Sequence, residues 1–312
     1  MSHWRDLPYT LAALCFLTLA SVALAAGDPI PLNQNGLTGS WYDPQTGGQG
    51  FEVEVYPDLL APGTGLAFVA WFTYDSVVGG AERQRWYTLS GRVVSGQPTA
   101  SLTIYQNTGG NFNAPPITES VPVGTATLSF DSCISGQLSY AFTDGSGRSG
   151  TIPLQRLMQN VSCSPLGVAG ENFDFILSGS WYDPATAGQG ITVEVNPVSN
   201  VLFFAWETYA PNGAKAGPAG QRWYTGQGVF APEDPQSITV PLYESTGGMF
   251  NALPPIPSTV AVGSATLAFQ SCTDATLTYS FTGGSNSGAS GTIQLVRDFV
   301  PYGVADCFDF GY

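Results

Sequence analysis

The sequence is poorest in histidine and lysine. His3 is the only histidine and Lys215 the only lysine among 312 residues. Without a histidine in the body of the chain, Ser-His-Asp and Cys-His catalysis, a histidine general base and histidine-ligated metal sites are excluded. The formal net charge is −14. Because phosphates are bound mainly by Lys and Arg, this composition argues against a nucleic-acid partner.

Long apolar runs are missing beyond the N-terminus. Residues 1–25 combine Arg5, an apolar stretch from Leu11 to Leu24 and the small-x-small triplet ending at Ala25, which predicts a cleaved secretory signal peptide. No later segment reaches about 18 uninterrupted apolar residues, so no transmembrane helix is expected. We therefore expect an exported protein, secreted or periplasmic.

A sustained 3.6-residue period is also missing, and short strand-like segments take its place. FEVEV alternates, with Phe51, Val53 and Val55 on one face and Glu52 and Glu54 on the other. Similar segments, rich in β-branched and aromatic residues, are separated by Gly, Pro, Asn, Asp and Ser. The predicted fold is all-β, with about eight antiparallel strands per domain, and an up-and-down barrel is favoured over a sandwich.

The chain is an internal duplication. GSWYDPQTGGQG begins at Gly39 and GSWYDPATAGQG at Gly179, and matched segments follow at an offset near 140 residues. A repeat of this length is a duplicated domain. The predicted organisation is a signal peptide at 1–25, copy one at 36–160, a linker at 161–175 and copy two at 176–312.

Four cysteines follow the predicted signal peptide, and their positions repeat. Cys133 and Cys272 occupy equivalent places, while Cys163 and Cys307 each follow the last strand of their copy. An even number of cysteines in an exported chain indicates disulfides. Three connectivities are possible, and the pairing Cys133–Cys163 with Cys272–Cys307 gives one bridge per domain.

Aromatic residues recur at matched positions in both copies. They indicate either core packing or a ligand-binding pocket or platform. Tyr74 and Tyr209 share a strand face with Phe72 in one copy and Glu207 in the other, so we expect that face to contact water. Asn113 and Asn251, in the repeated loops TGGNFNAPP and TGGMFNALPP, are either ligand contacts or turn residues. The candidate ligand-binding residues are Tyr42, Trp71, Tyr74, Trp86, Asn113, Tyr182, Trp206, Tyr209, Trp223 and Asn251.

Few charges are repeated. Asp43 and Asp183 precede proline, which favours a turn role. Glu54 is interpreted either as a cross-strand ion-pair partner of Arg85 or as a catalytic carboxylate. The pair Asp43 with Glu54, repeated as Asp183 with Glu194, is the candidate for glycosidase-type acid–base catalysis. No metal site and no cofactor are predicted.

Two resemblances follow from these motifs. Gly39-Ser40-Trp41 with Arg156, repeated around Trp181 and Arg297, resembles the signature of calycins, which include lipocalins and avidins; this resemblance implies an eight-stranded barrel with a ligand cavity and a Trp stacked under an Arg. The order WYDP-x-x-x-GQG, W-x-TY, RWYT, TGG-x-FN is similar to a repeat of exported proteobacterial proteins with no assigned activity. That second resemblance implies a Gram-negative source.

Three classes of function remain open. The leading hypothesis is a secreted, non-catalytic binding or surface-associated protein with two similar sites, recognising a glycan or a small apolar ligand. The alternatives are a carboxylate-dependent glycoside hydrolase and an outer-membrane barrel, the latter because the chain ends in the alternating aromatic run Phe308 to Tyr312. The oligomeric state is left open.

Overall fold

The computed structural model describes residues 30–165, 174–231 and 236–299. Two closed eight-stranded antiparallel barrels are formed, each with consecutive strands as neighbours, which confirms the predicted fold class. The first barrel contains β1 (Gly39–Tyr42), β2 (Gly50–Ala61), β3 (Thr64–Tyr74), β4 (Gln84–Val94), β5 (Thr99–Asn107), β6 (Ser120–Ser132), β7 (Ser135–Phe142) and β8 (Ser149–Arg156). The second contains β9 (Gly179–Tyr182), β10 (Gly190–Asn196), β11 (Val201–Tyr209), β12 (Gln221–Val229), β13 (Ser237–Thr246), β14 (Ser258–Phe269), β15 (Asp274–Phe281) and β16 (Ser290–Arg297).

Helical structure in the described ranges consists of short 3₁₀ segments at Asn35–Leu37, Ala81–Arg83, Asp174–Leu177, Pro184–Thr186 and Gly213–Gly220. Across those ranges we find no helix with the length and apolarity that a membrane span requires. The predicted signal peptide lies outside the described residues.

Period-two alternation builds the two cores. In β2, Phe51, Val53 and Val55 point into the first barrel and join its buried cluster, as the alternation of FEVEV predicts. On the outer faces, cross-strand hydroxyl pairs such as Ser139 with Thr151 (2.8 Å) and Thr278 with Thr292 (2.9 Å) cover the exposed parts of the sheets. Alternation therefore explains both the apolar interiors and the polar outer walls.

A tryptophan and an arginine close each barrel. Trp41 in β1 pairs with Arg156 in β8, and the guanidinium carbon lies 4.7 Å from the centre of the Trp41 ring. Trp181 and Arg297 repeat this arrangement at 5.6 Å. The stacking expected from the calycin-like motif is thus present in both copies, while the family resemblance itself stays a prediction.

The disulfide Cys133–Cys163 is present, with an S–S distance of 2.06 Å. It confirms the predicted bridge in copy one and ties the segment after β8 to the end of β6. Cys272 is buried and disulfide-bonded. Cys307, its predicted partner, lies outside the described residues.

Candidate functional site

Each barrel is closed at one mouth by a loop from the other barrel. Phe250, in the loop after β13 of the second barrel, packs inside the first, 5.3 Å from Trp71 and 5.8 Å from Tyr140 between ring centres. Phe112, in the matching loop after β5, packs inside the second barrel, 5.5 Å from Trp206. The repeated TGG-x-FN loop is therefore a reciprocal plug.

The repeated glutamine of GGQG holds the plug in place. Gln49 Nε2 donates to the carbonyl of Met249 (3.2 Å), and its Oε1 accepts from the backbone N–H of Asn251 (3.0 Å). Gln189 makes the same two bonds to Asn111 (3.0 Å) and Asn113 (3.2 Å) of the opposite loop. The GGQG turn thus fastens the other barrel's loop.

Tryptophans and tyrosines from the outer strand faces meet between the barrels. Trp86 Nε1 donates to the carbonyl of Thr208 (3.1 Å), and Trp223 Nε1 donates to that of Thr73 (2.9 Å). The rings of Trp86 and Tyr209 lie 5.7 Å apart, and those of Trp223 and Tyr74 lie 5.6 Å apart. This face was expected to contact water because it carries a Glu, but the expectation is wrong, since the opposite barrel covers it.

One substitution between the copies breaks the approximate two-fold symmetry of this interface. In the first barrel Phe72 stacks on Trp223 at 5.3 Å, and its ring lies 3.0 Å from the point where a Cβ on Gly50 would be. The matching position in the second barrel is Glu207. Beside Glu207 lies a cavity of about 290 Å³, whose wall includes Trp86 of the first barrel and Gly190 of the second.

The cavity is lined by residues of both barrels. The first contributes Phe68, Ala70, Trp86, Thr88, Asn107 and Ser120. The second contributes Ser180, Trp181, Tyr182, Ala187, Gly188, Gln189, Gly190, Ile191, Thr192 and Glu207, and Asp298 follows its last strand. Glu207 and Asp298 are its acidic residues, and none of the described residues that line it is Lys or Arg.

Glu207 is buried, with 5% of its surface exposed, and its Oε1 has no hydrogen-bond partner among the described residues. Burial raises the pKa of Glu207 to about 8, and the negative charge of Glu54 adds to the rise. A buried carboxyl oxygen without a partner is costly to the fold. Glu207 therefore brings an ionisable and incompletely hydrogen-bonded carboxyl to the wall of the cavity.

Three further carboxyls lie buried between the barrels. Glu54 accepts from the hydroxyls of Ser180 (2.7 Å) and Tyr56, while Glu194 accepts from the backbone N–H of Ser40 (2.7 Å). Burial raises the pKa of Glu54 to about 7 and also raises those of Glu52 and Glu194. These side chains join the barrels, because the Glu54 and Glu194 carboxyls each bind a serine of the opposite barrel.

The predicted ligand-binding residues fall into four places. Trp71 and Trp206 lie inside the barrels against the plugs, and Asn113 and Asn251 lie within the plugs with positive φ of 41° and 42°. Tyr74, Tyr209, Trp86 and Trp223 lie at the interface, whereas Tyr42 and Tyr182 are half-buried at the ends of β1 and β9. Trp86 and Tyr182 line the cavity, and a ligand role for any of the ten stays a prediction.

The suggested carboxylate pair is not brought together. Trp41 opposes Phe51, so Asp43 and Glu54 lie about five residues apart along the strand direction, roughly 16 Å at about 3.3 Å per residue. Glycosidase pairs lie within about 10 Å. Asp43 and Asp183 instead accept from backbone N–H groups two residues on, at 2.9 and 2.8 Å, the turn role that Asp-Pro favours.

The ion pair between Glu54 and Arg85 is also not formed. Arg85 bonds to Asp75 at 2.5 Å, at the end of β3. Asp75 directly follows the repeated W-x-TY motif, whereas its counterpart in copy two is Ala210. Matching only the repeated charges therefore selected the wrong partner for Arg85.

Glu207 is the site residue that the sequence comparison passed over as a ligand contact. The candidate residues are those that recur in both copies, whereas the Glu at position 207 occurs in one copy alone. The signal was visible as the mismatch between WFTY and WETY, where a large apolar residue is exchanged for a shorter acidic one.

No protein-family model matches the chain, and no curated protein matches it in sequence.

Proposed function

We propose that this is an exported, non-catalytic binding protein that holds one small polar ligand per chain in the cavity between its barrels. The observation that carries the proposal is the cavity of about 290 Å³ between the barrels, whose wall includes Glu207, a buried carboxyl with one unpartnered oxygen. Small-molecule pockets have volumes of about 300 Å³ or more, and they combine aromatic walls with a few polar groups. The aromatic wall here is Trp86 and Phe68.

The barrel interiors support this choice of site. Phe250 and Phe112 occupy positions where a lipocalin-like ligand would enter, and they pack on the central tryptophans Trp71 and Trp206. A second cavity, between Asn113 and Trp206 at the mouth of the second barrel, measures about 10 Å³. That volume suits about one water molecule, so an apolar cargo inside a barrel is the less favoured alternative.

The polar outer surface favours a binding protein in aqueous solution over the alternative of an outer-membrane barrel. Serine and threonine pairs cover the outer faces, as in β7 with β8 and in β15 with β16. An exposed aromatic platform for a glycan is less favoured, because all six tryptophans of the barrels are at most 2% exposed. Export and location remain parts of the proposal that rest on residues 1–25.

The test is a ligand-observed NMR screen of small polar fragments against the full mature chain. The Glu207→Phe variant places in the second copy the ring that Phe72 provides in the first, so it should fill the cavity and keep the fold. The control Glu119→Phe adds the same ring at an exposed position. We expect fragments that bind the parent protein to bind Glu119→Phe equally and to lose binding to Glu207→Phe.

Fragment binding that survives in a folded Glu207→Phe protein would place the ligand elsewhere and overturn the proposal. Absence of any binding fragment would overturn it as well. Turnover of a bound fragment would replace the binding role by an enzymatic one. Circular dichroism and the melting temperature establish that both variants are folded.

A further inference from the structure

We propose that the cavity between the barrels selects small organic cations, namely a primary ammonium or amidinium group attached to a flat apolar body. The inference rests on the proposed function, and it names the chemical class that the same site would take. Three independent features carry it: the sign of the charges around the cavity, the aromatic wall, and the difference between the two copies.

The ionisable side chains that line the cavity are acidic. Glu207 and Asp298 line it, and the buried carboxyls of Glu52 and Glu54 lie near enough to interact electrostatically with Glu207. Arg297, a buried cation that does not line the cavity, is held by backbone carbonyls, with bonds of 2.5 Å to Ile176 and to Ser178. Since no lining residue among those described is basic, an anionic ligand would find no positively charged side chain in the cavity wall.

The unpartnered atom is an acceptor. Glu207 Oε1 has no donor among the described residues and is closed off from solvent, so the carboxyl must rotate before a ligand N–H can bond to it, and a charged donor then forms the stronger bond. The aromatic rings of Trp86 and Phe68 in the same wall favour a cation near their faces and an apolar body against them. A neutral alcohol of the same shape would gain the ring contact and lose most of the charge interaction.

The duplication provides an internal comparison. At the equivalent place on the other side of the interface, Phe72 stacks on Trp223 and fills the space against Gly50. The interface therefore packs well with a phenylalanine at this position. A buried Glu with an unpartnered oxygen at the second position has no packing purpose, because it exchanges an apolar contact for a desolvated carboxyl.

The probe is benzylammonium, with benzyl alcohol as its neutral counterpart, titrated into the full mature chain by calorimetry at pH 7. We expect benzylammonium to bind at least tenfold more tightly than benzyl alcohol. Because burial raises the pKa of Glu207 to about 8, most of this carboxyl is protonated at pH 7. Binding of the ammonium ion should then transfer up to one proton from Glu207 to the buffer, and the measured heat should change with the buffer's ionisation enthalpy.

The isosteric variant Glu207→Gln removes the charge and keeps the shape. It should weaken benzylammonium at least tenfold, change benzyl alcohol less than twofold, and abolish the proton release. Equal binding of the two probes to the parent protein would overturn the cation preference and leave the proposed binding site standing. The comparison of the two probes needs no variant, so it tests the cation preference even if Glu207→Gln is unstable. Loss of all fragment binding would instead count against the proposed function.

Discussion

At the scale of single residues, the unusual feature of this protein is the burial of acidic side chains between two barrels. Glu52, Glu54 and Glu194 are at most 1% exposed, and Glu207 is 5% exposed. The hydroxyl of Ser40 donates to Glu52, and those of Ser180 and Tyr56 donate to Glu54. Hydroxyl donors can satisfy a carboxyl in either protonation state, so the interface tolerates protonated glutamates near neutral pH.

The raised pKa values predict that the protein loses stability as the pH rises from about 5 to 8. The folded state keeps protons on Glu54 and Glu207 up to pH values of about 7 and 8, whereas the unfolded chain releases them near pH 4.5. Stability falls wherever the folded state binds more protons than the unfolded one, at about 1.4 kcal/mol per unit of pKa difference. Urea unfolding at several pH values should therefore give a free energy that is lower at pH 8 than at pH 5 by several kcal/mol.

The matched variants for this measurement are Glu207→Gln and Glu119→Gln. Glu207→Gln should flatten the profile between pH 5 and 8, since it removes one of the groups that lose a proton there. Glu119 is exposed, and its replacement should leave the slope unchanged. A profile that is flat for the parent protein, or equally steep in Glu207→Gln, would contradict the burial of these charges.

Glu207 also shows what could and could not be predicted at this scale. The alternation of FEVEV correctly placed Phe51, Val53 and Val55 inside the barrel, because a strand has only two faces. The same rule placed Glu52 and Glu54 outside, and it could not tell an outer face in water from one covered by another domain. That distinction depends on contacts between residues more than 100 positions apart, such as Ser180 with Glu54.

At the scale of elements, the sequence predicted the strands, but it did not predict which barrel each loop packs into. Each strand follows from local alternation and turn residues, and the Trp41–Arg156 contact follows from a short motif. The TGG-x-FN loop has the same sequence character in both copies, so either barrel would accept Phe112 equally well by composition. The second glycine of each TGG motif lies against a tyrosine ring of the other barrel, Gly110 against Tyr209 and Gly248 against Tyr74. The reason for its repetition is therefore visible only when each loop is known to enter the opposite barrel.

The exchanged plug predicts an energetic coupling between Phe250 of one copy and Trp71 of the other. Their rings lie 5.3 Å apart, and aromatic pairs couple by about 0.5–1.5 kcal/mol beyond area burial. A double-mutant cycle with Phe250→Ala and Trp71→Phe, followed by urea unfolding, should give a coupling free energy in this range. The matched control combines Phe250→Ala with Trp206→Phe, the central tryptophan of Phe250's own barrel.

The control cycle should be additive within about 0.5 kcal/mol, as expected for residues that do not touch. Coupling of Phe250 to Trp206 instead of Trp71 would mean that each loop closes its own barrel. In that case the interface would be an ordinary contact between two independent domains.

At the scale of the whole molecule, neither barrel is complete without the other. The interface buries Trp86, Trp223, Tyr74 and Tyr209, and backbone carbonyls of one barrel accept side-chain donors of the other. Gln84 Nε2 donates to the carbonyl of Trp223 (2.9 Å), and Gln221 Nε2 donates to that of Trp86 (2.8 Å). An isolated barrel would expose these rings together with an unfilled mouth.

The two copies, produced as separate chains of residues 30–165 and 174–312 so that each keeps its cysteines, should therefore bind each other and form a 1:1 complex. Aromatic residues buried at the centre of an interface dominate its affinity, and the two plugs add a second anchored contact on each side. Native mass spectrometry of a mixture at micromolar concentration should show the complex as the main species. Gly110→Leu in copy one, whose Cβ would lie 2.2 Å from the Tyr209 ring, should prevent association, whereas Gly47→Leu, which has open space around its Cβ, should not. Two folded halves that remain monomeric when mixed would show that the covalent linker, and not the exchanged loops, holds the barrels together.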